Sequence, residues 1–220
     1  MRSYKSIDYI FNEHLGKRSA YSEHQELSIE GIPKLTNSHK SIKLVGLVGG
    51  DGNKLVFGNN CSVKKALIRF EGSGSTIQFS DNCKINGIFI VRNNCLISLG
   101  DGTKVNSNQA RFHCGEDNTR IVLGQGCLVA DARFRTSDSH SIFDDAGHRT
   151  NFPANITVED DVWLAEDTFV FKGAHVGAGS IVGARSTVYG RLPKHSLCVG
   201  TPAKPIKCPV YWSDELRDQR

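Results

Sequence analysis

The feature that most constrains the fold of this chain is a strict six-residue period between positions 156 and 188. An aliphatic residue stands at every sixth position, and a second small or apolar residue stands two positions before each of them. A helix repeats every 3.6 residues and a lone strand every two, so neither explains this period. A short strand followed by a tight corner does, because side chains two apart on a strand face the same side. The aliphatic positions are Val158, Leu164, Val170, Val176, Val182 and Val188.

Repeats of this length predict a parallel β-helix, in which three short sides close one coil of about 18 residues. A looser form of the repeat precedes the strict one, as four related heptapeptides that begin at Phe57, Phe79, Leu99 and Leu123. Each heptapeptide has a Gly or Asn corner followed by an inward pair of residues. The sequence therefore predicts an all-β chain whose solenoid covers residues 27–207.

Three other segments interrupt or flank this solenoid. Residues 4–15 carry apolar side chains at helical spacing, which predicts a short N-terminal helix within a cap of residues 1–26. The distance from Leu123 to Val158 exceeds one coil by about 17 residues, and we assign the excess to a loop excursion over residues 131–155. Long insertions in compact repeat proteins are usually functional or disordered. Residues 208–220 form a polar C-terminal tail.

Composition narrows the class of protein. The chain has 220 residues, a formal net charge of +4 and no apolar run of signal-peptide or membrane length. These properties predict one cytoplasmic domain with no membrane insertion and no nucleic-acid partner. Of the seven cysteines, Cys61, Cys83 and Cys127 each stand two residues before an aliphatic residue. We therefore expect them to be inward thiols that act as small apolar groups.

Three segments carry a resemblance to a known family: SDSHSI at 137–142, the strict repeat at 156–188 and VGTPAKPIK at 199–207. They resemble the hexapeptide-repeat O-acetyltransferases, which use acetyl-CoA. Within that family the chain is most similar to the bacterial capsular polysaccharide and polysialic acid O-acetyltransferases. The resemblance implies a left-handed coil and a homotrimer, neither of which the spacing can show. It also implies a sugar or polysaccharide acceptor.

The chemistry of acetyl transfer requires a base, because a sugar hydroxyl has a very high pKa and must lose its proton as it attacks. Histidine is the usual choice of base. His140 lies in the predicted excursion and matches the family's catalytic histidine. Asp138, two residues earlier, is the candidate to orient the imidazole as carboxylates do in catalytic triads, although a backbone carbonyl could do the same.

Binding residues are assigned mainly from the resemblance. Trp163 stands between two inward residues and must face outward, which fits either an acceptor platform or a subunit contact. Arg135 and Arg149 are candidates to pair with an acidic acceptor. The resemblance implies a groove for acetyl-CoA between neighbouring coils, with lysines at its phosphates. Its predicted lining is Ala165, Gly183, Ala184, Tyr189, Gly190, Lys204 and Lys207.

Other functions remain open at this point. An acetyltransferase for an antibiotic or another xenobiotic fits the same motifs, and so does a non-catalytic structural solenoid. A carbonic anhydrase on this solenoid needs three histidines as zinc ligands on adjacent coils. His113, His140 and His148 do not follow a repeating spacing, so no metal is predicted.

Overall fold

The computed structural model describes residues 6–9, 27–30, 34–35, 41–47 and 50–218. All regular elements in these ranges are strands. In chain order they are β1 (Ser6–Tyr9), β2 (Leu27–Glu30), β3 (Lys34–Leu35), β4 (Ser41–Leu47), β5 (Asn53–Phe57), β6 (Ser62–Phe70), β7 (Thr76–Phe79), β8 (Lys84–Val91), β9 (Leu96–Leu99), β10 (Lys104–Val105), β11 (Arg111–His113), β12 (Arg120–Leu123), β13 (Leu128–Val129), β14 (Ala132–Arg135), β15 (Ile156–Val158), β16 (Trp163–Leu164), β17 (Thr168–Phe171), β18 (His175–Val176), β19 (Ile181–Val182), β20 (Thr187–Val188), β21 (Arg191–Leu192), β22 (Leu197–Gly200) and β23 (Ala203–Lys207).

The strands form the three faces of a parallel solenoid, as the period of six predicts. The first face contains β2, β5, β7, β9, β12, β15, β18 and β21. The second face contains β3, β10, β13, β16, β19 and β22, together with the beginnings of β6 and β8. The third face contains β4, β11, β14, β17 and β20, together with the ends of β6 and β8. The chain visits the faces in this order, so each coil stacks on the one before.

Each corner between the first and second faces turns through one residue with a positive φ. Only residues that tolerate the left-handed conformation suit this position, which favours Gly, Asn and Asp. This explains why the Gly or Asn corner recurs in every heptapeptide. The residues are Asn60, Asn82, Gly102, Gly126, Asp161, Gly179 and His195, with φ between 52° and 68°.

The core lies inside the coil, where the predicted inward pairs are buried. The thiols of Cys61, Cys83 and Cys127 are at most 1% exposed, which confirms their inward assignment. The third face also stacks one phenylalanine in each of three successive coils. The ring centroids lie 4.8 and 4.5 Å apart, close to the spacing of neighbouring strands. These rings are Phe89, Phe112 and Phe134.

One predicted element and one predicted boundary were wrong. Residues 6–9, inside the predicted N-terminal helix, form strand β1, which pairs antiparallel with β4; the rest of that helix lies outside the described residues. A short amphipathic helix is marginal by itself, and an open strand edge offers hydrogen bonds that override such a weak preference. The excursion also begins later, because 132–135 form β14. Ala132 and Phe134 are buried there and alternate with outward arginines, as a strand requires.

The last strand reverses direction. β23 pairs antiparallel with β22 after the cis peptide bond between Thr201 and Pro202. Residues 208–214, which we call the C-terminal strap, then run back along the second face. The N–H of Val210 donates to the His195 carbonyl oxygen at 2.7 Å, and Lys104 forms an ion pair with Asp214 four coils below. In the described part of the chain, no helix could span a membrane.

Candidate functional site

The excursion that carries the predicted base covers residues 136–155, between β14 and β15. It leaves the solenoid at the corner between the third and first faces. Its two ends are joined, because the Ala154 N–H donates to the Thr136 carbonyl oxygen at 3.0 Å. Thr136 is fully buried, and its hydroxyl donates to the Thr119 hydroxyl at 2.9 Å. The loop therefore starts and ends on the rigid coil beneath it.

The middle of the loop is a hairpin. The Thr150 N–H donates to the Ile142 carbonyl oxygen at 2.8 Å, and the Asp144 N–H donates to the His148 carbonyl oxygen at 2.9 Å. The Asp144 carboxylate accepts from two backbone N–H groups in the turn. Ile142 and Phe143 are 57% and 61% exposed, although both are large apolar side chains. Exposed apolar residues that cluster in this way are typical of a contact surface.

One buried side chain, Asn151, organises the segment around the predicted base. Its amide nitrogen donates to the Asp138 carboxylate at 2.7 Å and to the His140 carbonyl oxygen at 2.8 Å. Its amide oxygen accepts from the Ile142 N–H at 2.8 Å. Asn151 thus fixes three alternate residues of the loop with a single carboxamide. We call this arrangement the Asn151 clamp.

Asp138 is held by this clamp and by a cation. The Lys172 ammonium, one residue beyond β17, lies 2.5 Å from the same carboxylate oxygen that accepts from Asn151. The Lys172 ammonium and, next, the Asn151 amide lower the pKa of Asp138 below its usual value. The carboxylate oxygen that accepts these bonds is thus occupied by loop contacts, and the predicted contact of Asp138 with the His140 imidazole stays a prediction.

The two predicted acceptor arginines have partners within the chain. Arg149 makes a bidentate pair with Glu116, with Nη–O distances of 2.8 and 2.6 Å. This pair raises the pKa of the Arg149 guanidinium and lowers that of the Glu116 carboxyl. Arg135 donates from Nη2 to the Ser139 hydroxyl at 2.6 Å. Arg135 therefore braces the loop from the end of β14, and Arg149 braces it from within.

His140 itself is exposed, although its backbone is fixed. Ser139, directly before it, has a φ of 66°, which a residue other than glycine adopts only when its surroundings impose it. The imposing contacts are those of Arg135 on the Ser139 hydroxyl and of Asn151 on the His140 carbonyl. An accessible imidazole on a rigid backbone is the arrangement that a general base requires.

Trp163 lies on a different side of the solenoid from His140. It is in β16 on the second face, whereas the His140 loop leaves from the corner opposite that face. The Trp163 side chain is outward and half-buried, as the alternation predicts. The C-terminal strap contacts it, because the ring centroids of Trp163 and Trp212 lie 6.0 Å apart. The Trp212 indole N–H donates to the Asp161 carbonyl oxygen at 2.6 Å, which anchors the strap.

The predicted cofactor residues occupy two corners. Ala165, Gly183 and Ala184 stack at the corner between the second and third faces, and Ala184 is exposed. A side chain on Gly183 would meet the Val199 Cγ1 atom at 2.7 Å, so this corner must remain small. Lys204 pairs with Val199 in the β22–β23 ladder, beside the same corner.

The remaining cofactor candidates are separate from this corner. Lys207 lies at the other end of β23, opposite Leu197. Tyr189 and Gly190 lie at the next corner, beyond β20, where the Tyr189 ring stacks on Phe171 with centroids 5.0 Å apart. In one chain the structure therefore brings together Ala165, Gly183, Ala184 and Lys204. Among the residues that the structure describes, no group of three side chains could hold a metal ion.

Comparisons with known proteins find similarity to bacterial acetyltransferases. No protein-family model matches the chain. A putative colanic acid biosynthesis acetyltransferase of Escherichia coli (strain K12) is 33% identical over 112 residues, which cover 50% of this chain and 58% of the relative. The polysialic acid O-acetyltransferase of Neisseria meningitidis is 24% identical over 127 residues, which cover 56% of this chain and 58% of the relative.

A solved structure extends the match over most of the chain. The crystal structure of the polySia specific acetyltransferase NeuO superposes with a TM-score of 0.76 at 27% identity, over 87% of this chain and 88% of that one. The chain is a homologue of the bacterial O-acetyltransferases. The resemblance that the motifs predicted is thus confirmed. The matches to the two curated relatives span less than two thirds of their length, at 58% of each.

In this acetyltransferase homologue, sequence reasoning missed four residues that shape the candidate site: Asn151, Lys172, Glu116 and Trp212. Asn151 and Lys172 hold Asp138, Glu116 holds Arg149, and Trp212 contacts Trp163. A weak signal existed for Lys172, which directly follows a strand at the same corner, one coil above the start of the loop. The other three contacts join residues 33, 13 and 49 positions apart in irregular segments, which no periodic pattern relates.

Proposed function

We propose that this chain transfers the acetyl group of acetyl-CoA to a hydroxyl group of a bacterial surface polysaccharide, with His140 as the general base. The observation that carries this proposal is the presentation of His140, whose side chain is exposed while the Asn151 clamp fixes its backbone. The names of the homologues support the reaction class. The motif SDSHSI supports the identity of the base.

The chemistry follows from what one imidazole can do. A neutral His140 nitrogen accepts the proton of the acceptor hydroxyl as its oxygen attacks the thioester carbonyl carbon. The carbon–sulfur bond then breaks, and the imidazolium returns the proton to the departing sulfur. The base finishes the cycle neutral, ready for the next acceptor.

Asp138 serves in this proposal as a positioning residue. Its carboxylate is bonded to Lys172 and Asn151, so it holds the loop in shape. The candidate orienter of the imidazole is then one of the backbone carbonyl groups of the loop, the alternative that the sequence left open. Arg149 supports the same segment through Glu116 and the Asn151 carbonyl oxygen.

Acetyl-CoA would be held at the corner of Ala165, Gly183 and Ala184. The narrow pantetheine arm fits a corner where side chains are small and the backbone is accessible. Lys204, exposed beside that corner, would meet a phosphate group as a point charge. The thioester of acetyl-CoA supplies an activated acetyl group. Tyr189 and Gly190, at the next corner, would contribute only from another copy of the chain.

The geometry is suited to a site shared between copies of the chain, and we propose the homotrimer that the family resemblance implies. His140 and Trp163 lie on opposite sides of one solenoid, so a site that uses both needs the loop of one copy beside the second face of another. The exposed Ile142 and Phe143 on that loop are suited to such a contact. Seven free cysteines, six of them buried, support a reducing compartment, and we place the protein in the cytoplasm.

The test compares two loop histidines. His140→Ala should lower kcat for acetyl transfer by about 100-fold or more, the usual scale for loss of a general base. His148→Ala is the matched control, because this side chain is 80% exposed on the hairpin of the same loop. Release of free thiol from acetyl-CoA, with polysialic acid as acceptor, measures both. Near-normal turnover in a folded His140→Ala variant would overturn the proposal.

A further inference from the structure

A cavity of about 920 Å³ lies on the corner between the second and third faces, below the predicted acetyl-CoA corner. Lys64, Lys65, Asn86, Asp131 and Glu166 are among its lining residues. Its volume is within the range of small-molecule sites, which is about 300–1,000 Å³. None of these residues takes part in the site described above. Since Glu166 directly follows Ala165, the upper end of the cavity meets the acetyl-CoA corner.

Two buried oxygen atoms in this wall have no partner among the described residues. Asn86 is 4% exposed, and its amide nitrogen donates to the Asn106 carbonyl oxygen at 3.0 Å. This bond assigns the amide oxygen to the other side, and that oxygen accepts nothing. The buried Oδ1 atom of Asp131 also accepts nothing. A buried acceptor without a donor is costly, so both atoms are suited to hydroxyl or N–H donors from a ligand.

Charge is distributed unevenly along the cavity. Lys64 and Lys65 are at its lower end, where a register shift in the β6–β8 pairing leaves Lys64 as an extra residue. Such bulges redirect side chains and are common beside functional sites. Asp131, Glu166 and Asp167 are at the upper end. A ligand with a carboxylate would place it at the lysines, because the acidic end repels it.

We infer that this cavity is the acceptor site and that it binds a carboxylated sugar chain. The carboxylate lies at Lys64 and Lys65, and sugar hydroxyl groups donate to Asn86 and Asp131. This inference rests on the proposed function, since it takes the polysaccharide as acceptor. From Lys65 to Asp131 the wall rises by three coils, or about 14 Å at the usual strand spacing. The bound chain therefore extends upward and brings a hydroxyl group to the acetyl-CoA corner.

The test is binding of polysialic acid, measured by calorimetry without acetyl-CoA, beside the same polymer with its carboxyl groups reduced to alcohols. The double variant Lys64→Gln, Lys65→Gln should weaken binding of the native polymer by about tenfold, as expected for a lost charged contact. It should leave the reduced polymer unaffected. Asp131→Ala should weaken both polymers alike, because their hydroxyl groups are shared.

The matched control is Lys54→Gln, Arg191→Gln, which removes two exposed cations from the first face. It should bind both polymers as the unaltered chain does. Absence of polysialic acid binding, or equal binding by the Lys64 and Lys65 variant, would overturn the inference. Acetyl transfer in the same preparations separates the two proposals. If acetyl transfer occurs but the double variant binds the native polymer normally, the cavity proposal fails and the proposed reaction stands. If binding follows the expected pattern but no acetyl transfer occurs, the proposed reaction fails and the binding site stands.

Discussion

At the scale of single residues, a hydrogen bond between two inward thiols lowers the pKa of one partner and raises that of the other, while burial raises both. A hydrogen bond from the Cys83 side chain lowers the pKa of Cys61 to about 7, and the reciprocal contact raises that of Cys83. Cys114 lowers the pKa of Cys95 to about 6 in the same way. Low pKa values favour reactive thiolates, but these sulfur atoms are inside the coil. Access, not ionisation, should therefore decide their reactivity.

The exposed and buried thiols should differ in their rates of reaction with a labelling reagent. One of the seven cysteines, Cys208, is exposed, and the other six are buried. A thiol reagent such as Ellman's should modify one group per native chain at once and the other six only on unfolding. Cys208→Ser should remove the rapid phase. Rapid labelling of Cys61 or Cys95 in the native protein would show that the inward register is wrong.

At the scale of elements, the excursion is stabilised by ionised carboxylates. Lys172 lowers the pKa of Asp138 and Arg149 lowers that of Glu116. A carboxyl group whose pKa is lower in the folded state stabilises it above the unfolded pKa, near 4, and this contribution is lost as the pH falls through the folded value. The loop should therefore loosen below about pH 4 while the coil beneath it persists.

Hydrogen exchange of peptides from 137–151, corrected for intrinsic rates, measures this effect. At pH 7, Asp138→Asn should already exchange faster than the unaltered loop, and the two should converge on acidification. Asp145→Asn is the control, because this exposed carboxylate lies on the hairpin of the same loop. Protection that is equal in all three proteins at pH 7 would contradict the role of the ion pair.

The C-terminal strap covers part of the second face beside Trp163. Trp212 contacts Trp163, and the chain contains only these two tryptophans. In Trp212→Ala the fluorescence therefore comes from Trp163 alone. We expect acrylamide to quench it more strongly than in Trp212→Phe, which keeps an aromatic ring beside it. In Trp212→Ala, the free energy of unfolding should also fall by about 0.5–1.5 kcal/mol, the usual value of an aromatic pair. Equal quenching in the two variants would show that the strap does not cover Trp163.

At the scale of the whole molecule, the separation of His140 from Trp163 makes the proposed site a shared one. His140→Ala and Trp163→Ala should each impair acetyl transfer. If one copy supplies the base and its neighbour the indole, co-expression of the two variants should restore activity. Random assembly in a closed ring leaves about one quarter of the sites with both side chains. Activity no greater than the average of the separate variants would show that each chain carries its own site.

The six-residue period determined most of the fold because its causes are local. Alternation along a strand places Val158 and Ile156 inside together, and the positive φ at the corner restricts Asn60 and its counterparts whatever the rest of the chain does. The motif around His140 and the outward direction of Trp163 are local in the same sense. These features could be predicted from the printed sequence.

Only the tertiary structure decided which side chains meet across coils. Strand β1 forms where the spacing of apolar residues predicts a helix, because β4 offers it a pairing edge. Lys172 reaches Asp138 from 34 residues away, and Trp212 reaches Asp161 from 51 residues away. Such contacts depend on how the coils stack and on the path of irregular segments, which no sequence period encodes. The clamp on His140 and the strap on Trp163 are therefore properties of the folded chain.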